Sequence, residues 1–203
     1  GKGGGKGDAK GGKGKGMPQG RVVPDQRWRG KIFEKAPGVV SFALTGEQMN
    51  SKDIDDFAEV FRDYIARNGE QTIWELNFSN NQLDDDAVIK LFDTLIGFAA
   101  SVRILKLFRN RIGARGMDSI AQFFGLCPMP VSEIHLSHNQ INSEAALALL
   151  TGVASNAIYP SEDTGPIWCR LENNPIGNHQ EVLNKFEQFL EEARPELKGV
   201  EGG

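Results

Sequence analysis

Cysteine is scarce: two residues in 203, Cys127 and Cys169, far apart. A disulfide framework is excluded, and the pair fits a reducing compartment, hence an intracellular protein, cytoplasmic or nuclear. Long apolar runs are absent too. No stretch approaches the roughly 18 consecutive apolar residues of a membrane span, and no charged-then-apolar leader marks secretion. The first residue is Gly rather than Met. That leaves open an upstream segment, and with it a regulatory domain cut from a larger protein.

Positive charge is also scarce over most of the chain. Residues 1–35 hold ten Lys+Arg against three acids, while the other 168 hold thirteen against twenty-four. The net charge of -4 is therefore a cancellation between a basic arm and an acidic body. Such asymmetry suggests an interaction tail. Residues 1–16 contain nine Gly, five Lys, one Asp and one Ala. With nothing to bury, this arm cannot offset a backbone ordering cost of about 1–2 kcal/mol per residue, and it is read as disordered. Gly7-x-x-x-x-Gly12-Lys13 lacks the Ser/Thr of a phosphate loop, since Gly14 follows, and no strand precedes it. Lys2, Lys6, Lys10, Lys13 and Lys15 could attract phosphate backbones. Without aromatics or Arg, however, the arm reads more readily as a solubilising linker.

What is present in the body is a repeat. Ile73-x-x-Leu76-x-Phe78-x-x-Asn81-x-Leu83, Val102-x-x-Leu105-x-Leu107-x-x-Asn110-x-Ile112 and Val131-x-x-Ile134-x-Leu136-x-x-Asn139-x-Ile141 share one template. Asn81, Asn110 and Asn139 are 29 residues apart. A weaker copy holds Cys169-x-Leu171-x-x-Asn174-x-Ile176, with Pro166 at the first position; a degenerate one holds Val39, Phe42, Leu44, then Glu47 in the Asn place. Apolar offsets 0, 3 and 5 suit a short strand with one buried face. Asn at offset 8 can bond backbone groups of the turn. Helix-period stretches follow each copy, with Ser51, Asp84 and Ser143 as expected N-caps. A last helix is expected over Gln180–Ala193, with Val182, Leu183, Phe186 and Leu190 as its apolar stripe.

The pattern resembles the leucine-rich repeat consensus, and the period near 29 with helical second halves resembles its ribonuclease-inhibitor-like subclass. The resemblance implies an α/β solenoid, a right-handed β-α superhelix of about five repeats with a short inner parallel sheet. The expected layout is a disordered arm over 1–16, a linker and N-terminal cap over 17–35, repeats over 36–195 and a tail over 196–203. Trp28 is expected to pack on the first repeat.

In such a solenoid, offsets 2, 4, 6 and 7 form side-by-side rows on the concave face. Lys106, Phe108, Arg109, His135, Trp168 and Arg170 converge there on the last three repeats. Exposed Trp, Phe and Arg are common interface anchors, so these six are the candidate partner-binding residues. The competing reading buries the rings under loops and pairs the cations with Glu75, Glu133 and Glu172. Asn81, Asn110, Asn139 and Asn174 are assigned structural roles. His135 and His138 are not expected to share a metal, Cys127 and Cys169 read as buried apolar residues, and Asp84–Asp86 read as a helix start. No catalytic constellation, metal or cofactor is expected. The resemblance implies a non-catalytic scaffold or adaptor that binds a protein partner, with no membrane. The alternative is an RNA- or DNA-associated module using the arm and the basic-aromatic patch.

Overall fold

A computed structural model describes residue 1, residues 27–28, 30–163 and 165–197. The Gly/Lys arm beyond residue 1, and the last six residues of the tail, lie outside the described residues. The elements in chain order are β1 (Ile32–Ala36), β2 (Val39–Ala43), α1 (Ser51–Asn68), β3 (Thr72–Asn77), α2 (Asp85–Gly97), β4 (Ser101–Lys106), α3 (Ala114–Leu126), β5 (Glu133–His135), α4 (Ser143–Ser155), β6 (Trp168–Arg170) and α5 (His179–Ala193). A short 3-10 turn, Pro195–Leu197, follows. From β2 onward, strand and helix alternate, and the sheet order is simply β1 to β6. Neighbouring repeats thus stack as an α/β solenoid in which β2 to β6 are parallel.

The sheet is not wholly parallel as expected. β1 runs antiparallel to β2, pairing Ile32 with Phe42 and Phe33 with Ser41. Pro37-Gly38 makes the turn between them, with Gly38 at φ 77, where a side chain would be strained. The hairpin covers backbone groups of β2 that would otherwise form an open edge. Trp28, just before it, is 1% exposed and belongs to the core. The first copy is also shifted by one at its start: Val40, not Val39, lies beside Ile73, because β3 carries one extra residue, Trp74.

The core runs the length of the stack on the helix side of the sheet. Phe42 is fully buried against Phe57, Phe61 and Tyr64, and Phe57 meets Phe78 edge-on at 5.0 Å. Phe92 of α2 and Phe123 of α3 meet edge-on between the two helices at 5.3 Å. Burying each such ring contributes about 1.5–3 kcal/mol.

Four asparagines sew successive turns together. Asn81 Oδ1 accepts the Met49 N–H at 3.0 Å, while Nδ2 donates to Leu44 O at 2.7 Å and Phe78 O at 2.9 Å. Asn110 bonds Leu83 N–H, Phe78 O and Leu107 O in the same way. Asn139 does so with Ile112 N–H, Leu107 O and Leu136 O. Asn174 accepts from Asn139 and Ile141 and donates to Leu136 O and Leu171 O. The first turn lacks this device, and Glu47, in the Asn place, forms an ion pair with Lys31.

Two expected helix caps shift by one residue. Asn50 and Asn142, rather than Ser51 and Ser143, accept the free N–H groups of α1 and α4, from Lys52 and Ala145. Asp84 caps α2 through Ala87 N–H at 3.0 Å. The start of α3 is capped from outside: Gly113 has no side chain to offer, and Asp85 of α2 accepts its N–H at 2.6 Å. Asp85→Ala should therefore lower stability by about 1–2 kcal/mol, measured by urea unfolding, although it leaves the Asp84 cap intact.

α5 departs from its expected stripe. Val182 is buried, Phe186 and Leu190 are half-buried, and Leu183 is 48% exposed. Among the described residues, no further repeat packs on the outer side of α5 to receive Leu183. Arg194 fixes the end of α5 instead, donating to Ala154 O at 2.7 Å and Tyr159 O at 3.2 Å.

Candidate binding face

The strand register sets the open face of the sheet. One row runs Phe33, Ser41, Glu75, Ile104, Glu133, Trp168; the next runs Ala43, Asn77, Lys106, His135, Arg170. Side chains alternate across a strand, so both rows point away from the helices. Lys106, His135 and Arg170 are register neighbours, and Trp168 lies two residues before Arg170 on the edge strand. Phe108 and Arg109 follow β4, in the turn just beyond Lys106.

Trp168 is not packed under a loop: it is 64% exposed. Phe108 is half-buried, and Arg109 and Arg170 are exposed. The cations are largely answered by carboxylates on the same face. Lys106 Nζ lies 2.7 Å from Glu75, His135 Nε2 lies 3.0 Å from Glu133, and Arg170 Nε lies 3.4 Å from Glu172. A backbone N–H holds the Glu172 carboxyl below its ordinary range, and Arg170 adds to this. A pair as exposed as Arg170–Glu172 adds little to stability, while Lys106–Glu75 and His135–Glu133 are half-buried. Their larger effect is on the field, since Lys106 and Arg170 are each locally neutralised.

Arg109 is the exception. It is exposed, and among the described residues no carboxylate pairs with it. Its backbone is left-handed, at φ 55. So is every equivalent position: Gly46 at φ 72, Asn80 at 56, His138 at 57 and Asn173 at 59. Gly, Asn and His are the residues that tolerate this region; Arg is not favoured there.

Two aromatic residues on or beside this face were missed. Phe33, 49% exposed, enters the first row only through the antiparallel hairpin. Trp74, 40% exposed, is the extra residue of β3, and the Lys35 ammonium lies 5.4 Å from its ring centroid. The Pro37-Gly38 turn signal could have revealed the first; nothing in the repeat pattern marks the second.

The remaining ionisable groups are arranged structurally. His138 Nε2 meets Asn173 at 3.2 Å, away from the His135–Glu133 pair. Among the described residues no three His, Cys, Asp or Glu are grouped to hold a metal. Asp86 pairs with Arg115 at 2.8 Å, so the three aspartates are each committed within the fold. Burial pushes the Cys169 thiol up to about 12, with Glu172 adding to the shift. Burial likewise raises the Cys127 thiol, which lies 3.7 Å from the Tyr159 hydroxyl. Neither is poised as a thiolate.

The three strong copies of the template also match a known family. The Leucine Rich repeat family model matches residues 71–92, 99–121 and 129–150. The chain is a leucine-rich repeat protein. No curated protein matches it. The matched segments are β3–α2, β4–α3 and β5–α4, the middle of the stack. In this leucine-rich repeat protein the candidate cluster straddles that middle and the following copy, which carries Trp168 and Arg170. Among the described residues, no helix is long and apolar enough to cross a membrane.

Proposed function

We propose that this leucine-rich repeat protein is a non-catalytic interaction module, an intracellular scaffold or adaptor of the ribonuclease-inhibitor-like kind, that binds a protein partner through the open, concave face of its sheet. Repeats of this family generally serve protein–protein interaction, and solenoids present such faces for binding. The observation that carries the reading is Trp168, a large ring left 64% exposed on the face, beside Arg170 on the edge strand. Exposed Trp and Arg are the residue types that dominate interface energetics. A catalytic reading finds little support. The cleft of about 320 Å³ near Phe61 and Phe98 has Glu70 as its one ionisable lining residue, and in the cleft of about 330 Å³ lined by Asp84, Asp85, Asp86, Arg111 and Arg115 the aspartates are committed to Ala87 N–H, Gly113 N–H and Arg115. Phosphate binding by the sheet is weakened by the Glu75, Glu133 and Glu172 pairings, which leave that reading to the arm lysines.

The test is a pull-down from native extract with the tagged full chain and with the double variant Trp168→Ala, Arg170→Glu. Both side chains are exposed, so the thermal midpoint should hold. Recovery of the partner should fall at least tenfold, equivalent to about 1.4 kcal/mol. Equal recovery from both proteins would reject this patch.

A further inference from the structure

We infer that the partner presents a carboxylate to Arg109, in an extended acidic segment whose apolar side chains reach Phe108 and Trp168. This rests on the concave-face reading above and names the chemistry that face receives. Charge accounting carries it. Lys31, Lys106, His135 and Arg170 face Glu47, Glu75, Glu133 and Glu172. Of the candidate cations Lys106, Arg109 and Arg170, Arg109 alone has no carboxylate partner among the described residues, whereas Lys35 at the hairpin end lies over the Trp74 ring. Its immediate neighbours at the same offset, Asn80 and His138, supply no carboxylate.

The backbone adds an independent argument. Five equivalent turns are left-handed, and four hold residues suited to that geometry. Asn, found at positions 80 and 173, would relieve the strain at 109. The fold uses the Arg109 N–H, which donates to Ser137 O at 2.9 Å, but its exposed, unpaired side chain has no visible structural role, and strain held in this way clusters at binding sites. Phe108 beside it is half-buried, and Trp168 lies two strands away. Two strand spacings and four residues along the strand separate the two rings by about 16 Å, the reach of about five extended residues. The segment therefore carries Asp or Glu at one end and an aromatic or branched apolar residue about five positions away.

The experiment uses random twelve-residue peptides displayed on phage. They are selected against the full chain with Lys2, Lys6, Lys10, Lys13 and Lys15 each replaced by Ser, so that the arm does not capture acids. Selected peptides are synthesised with a fluorophore and titrated by polarisation. An acid with an apolar residue about five positions away should recur. Arg109→Asn should weaken binding at least tenfold, as should the peptide's own Glu→Gln or Asp→Asn change, and the two together should lose little more than either alone. The thermal midpoint of Arg109→Asn should be equal or higher. Peptides that lose binding with Trp168→Ala yet need no carboxylate and ignore Arg109→Asn would overturn the inference and leave the concave-face reading standing. Selection of no peptide sensitive to either substitution would count against both. Poly-uridine RNA whose binding disappears with Arg109→Asn would assign the residue to phosphate and overturn the carboxylate.

Discussion

Replacing Asn110 with Leu is expected to lower stability by about 3 kcal/mol. Asn110 is 8% exposed, so water cannot take over its partners. Its three bonds are not equivalent. Phe78 O also receives Asn81 Nδ2, and Leu107 O also receives Asn139 Nδ2, so each carbonyl keeps one donor after the change. Leu83 N–H has only Asn110 Oδ1, at 3.1 Å, and becomes an orphan. One buried orphan costs about 1–3 kcal/mol and each lost shared bond about 0.5–1.5 kcal/mol; the extra apolar surface of Leu returns part of it. Asn174→Leu takes the acceptor from two N–H groups, those of Asn139 and Ile141, yet it should cost less, because Asn174 is only half-buried and water can reach the site. Urea unfolding followed by far-ultraviolet circular dichroism gives both values. Losses below about 0.5 kcal/mol at both positions would show that the ladder is not what joins the turns.

That ladder was legible in the sequence because it rests on identity and spacing together. An Asn every 29 residues, at a fixed offset from apolar positions, has few readings other than a repeated turn. The rows of the open face followed for the same reason, since equal spacing places equal offsets side by side. What crosses between repeats by side-chain reach was legible only as the competing reading that pairs the cations with Glu75, Glu133 and Glu172, or not at all. Glu75 and Lys106 occupy different rows on adjacent strands, and their pairing depends on rotamers of two long chains. Asp85 reads as one more acid in a helix start, yet it caps the next helix. The hairpin strand β1 was invisible for another reason: Ile-Phe-Glu-Lys-Ala carries no repeat offset, and the boundary drawn at 35/36 cut through it. The caps moved from Ser to the preceding Asn because both types cap well, and local geometry chose between neighbours.

Gly152 makes the remaining large prediction, and it concerns how the repeats bearing the candidate face are held together. A Cβ placed on Gly152 of α4 would lie 2.6 Å from the Ala121 carbonyl oxygen and 2.8 Å from Ala121 Cα and Cβ on α3. Two of these three atoms are backbone, so no rotamer change relieves the contact; the helices must separate. Leu is a far better helix former than Gly, and on propensity alone Gly152→Leu would stabilise by about 0.8 kcal/mol. The clash reverses the sign, and a net loss of about 3 kcal/mol is expected from overpacking. Gly125 on the opposing helix is the control. Its Cβ would meet only Gly152 O, at 3.9 Å, an ordinary contact. Gly125→Ala should therefore raise stability by about 0.5 kcal/mol. The two glycines sit in one shallow groove between α3 and α4, so opposite signs isolate close approach from propensity. Because β5 precedes α4 and β6 follows it, forcing α4 outward should also disturb the pairing that sets Trp168 beside Glu133. Partner recovery should then fall in Gly152→Leu even below its unfolding midpoint. Two substitutions of the same sign, both stabilising, would show that α3 and α4 pack more loosely than a 2.6 Å approach allows.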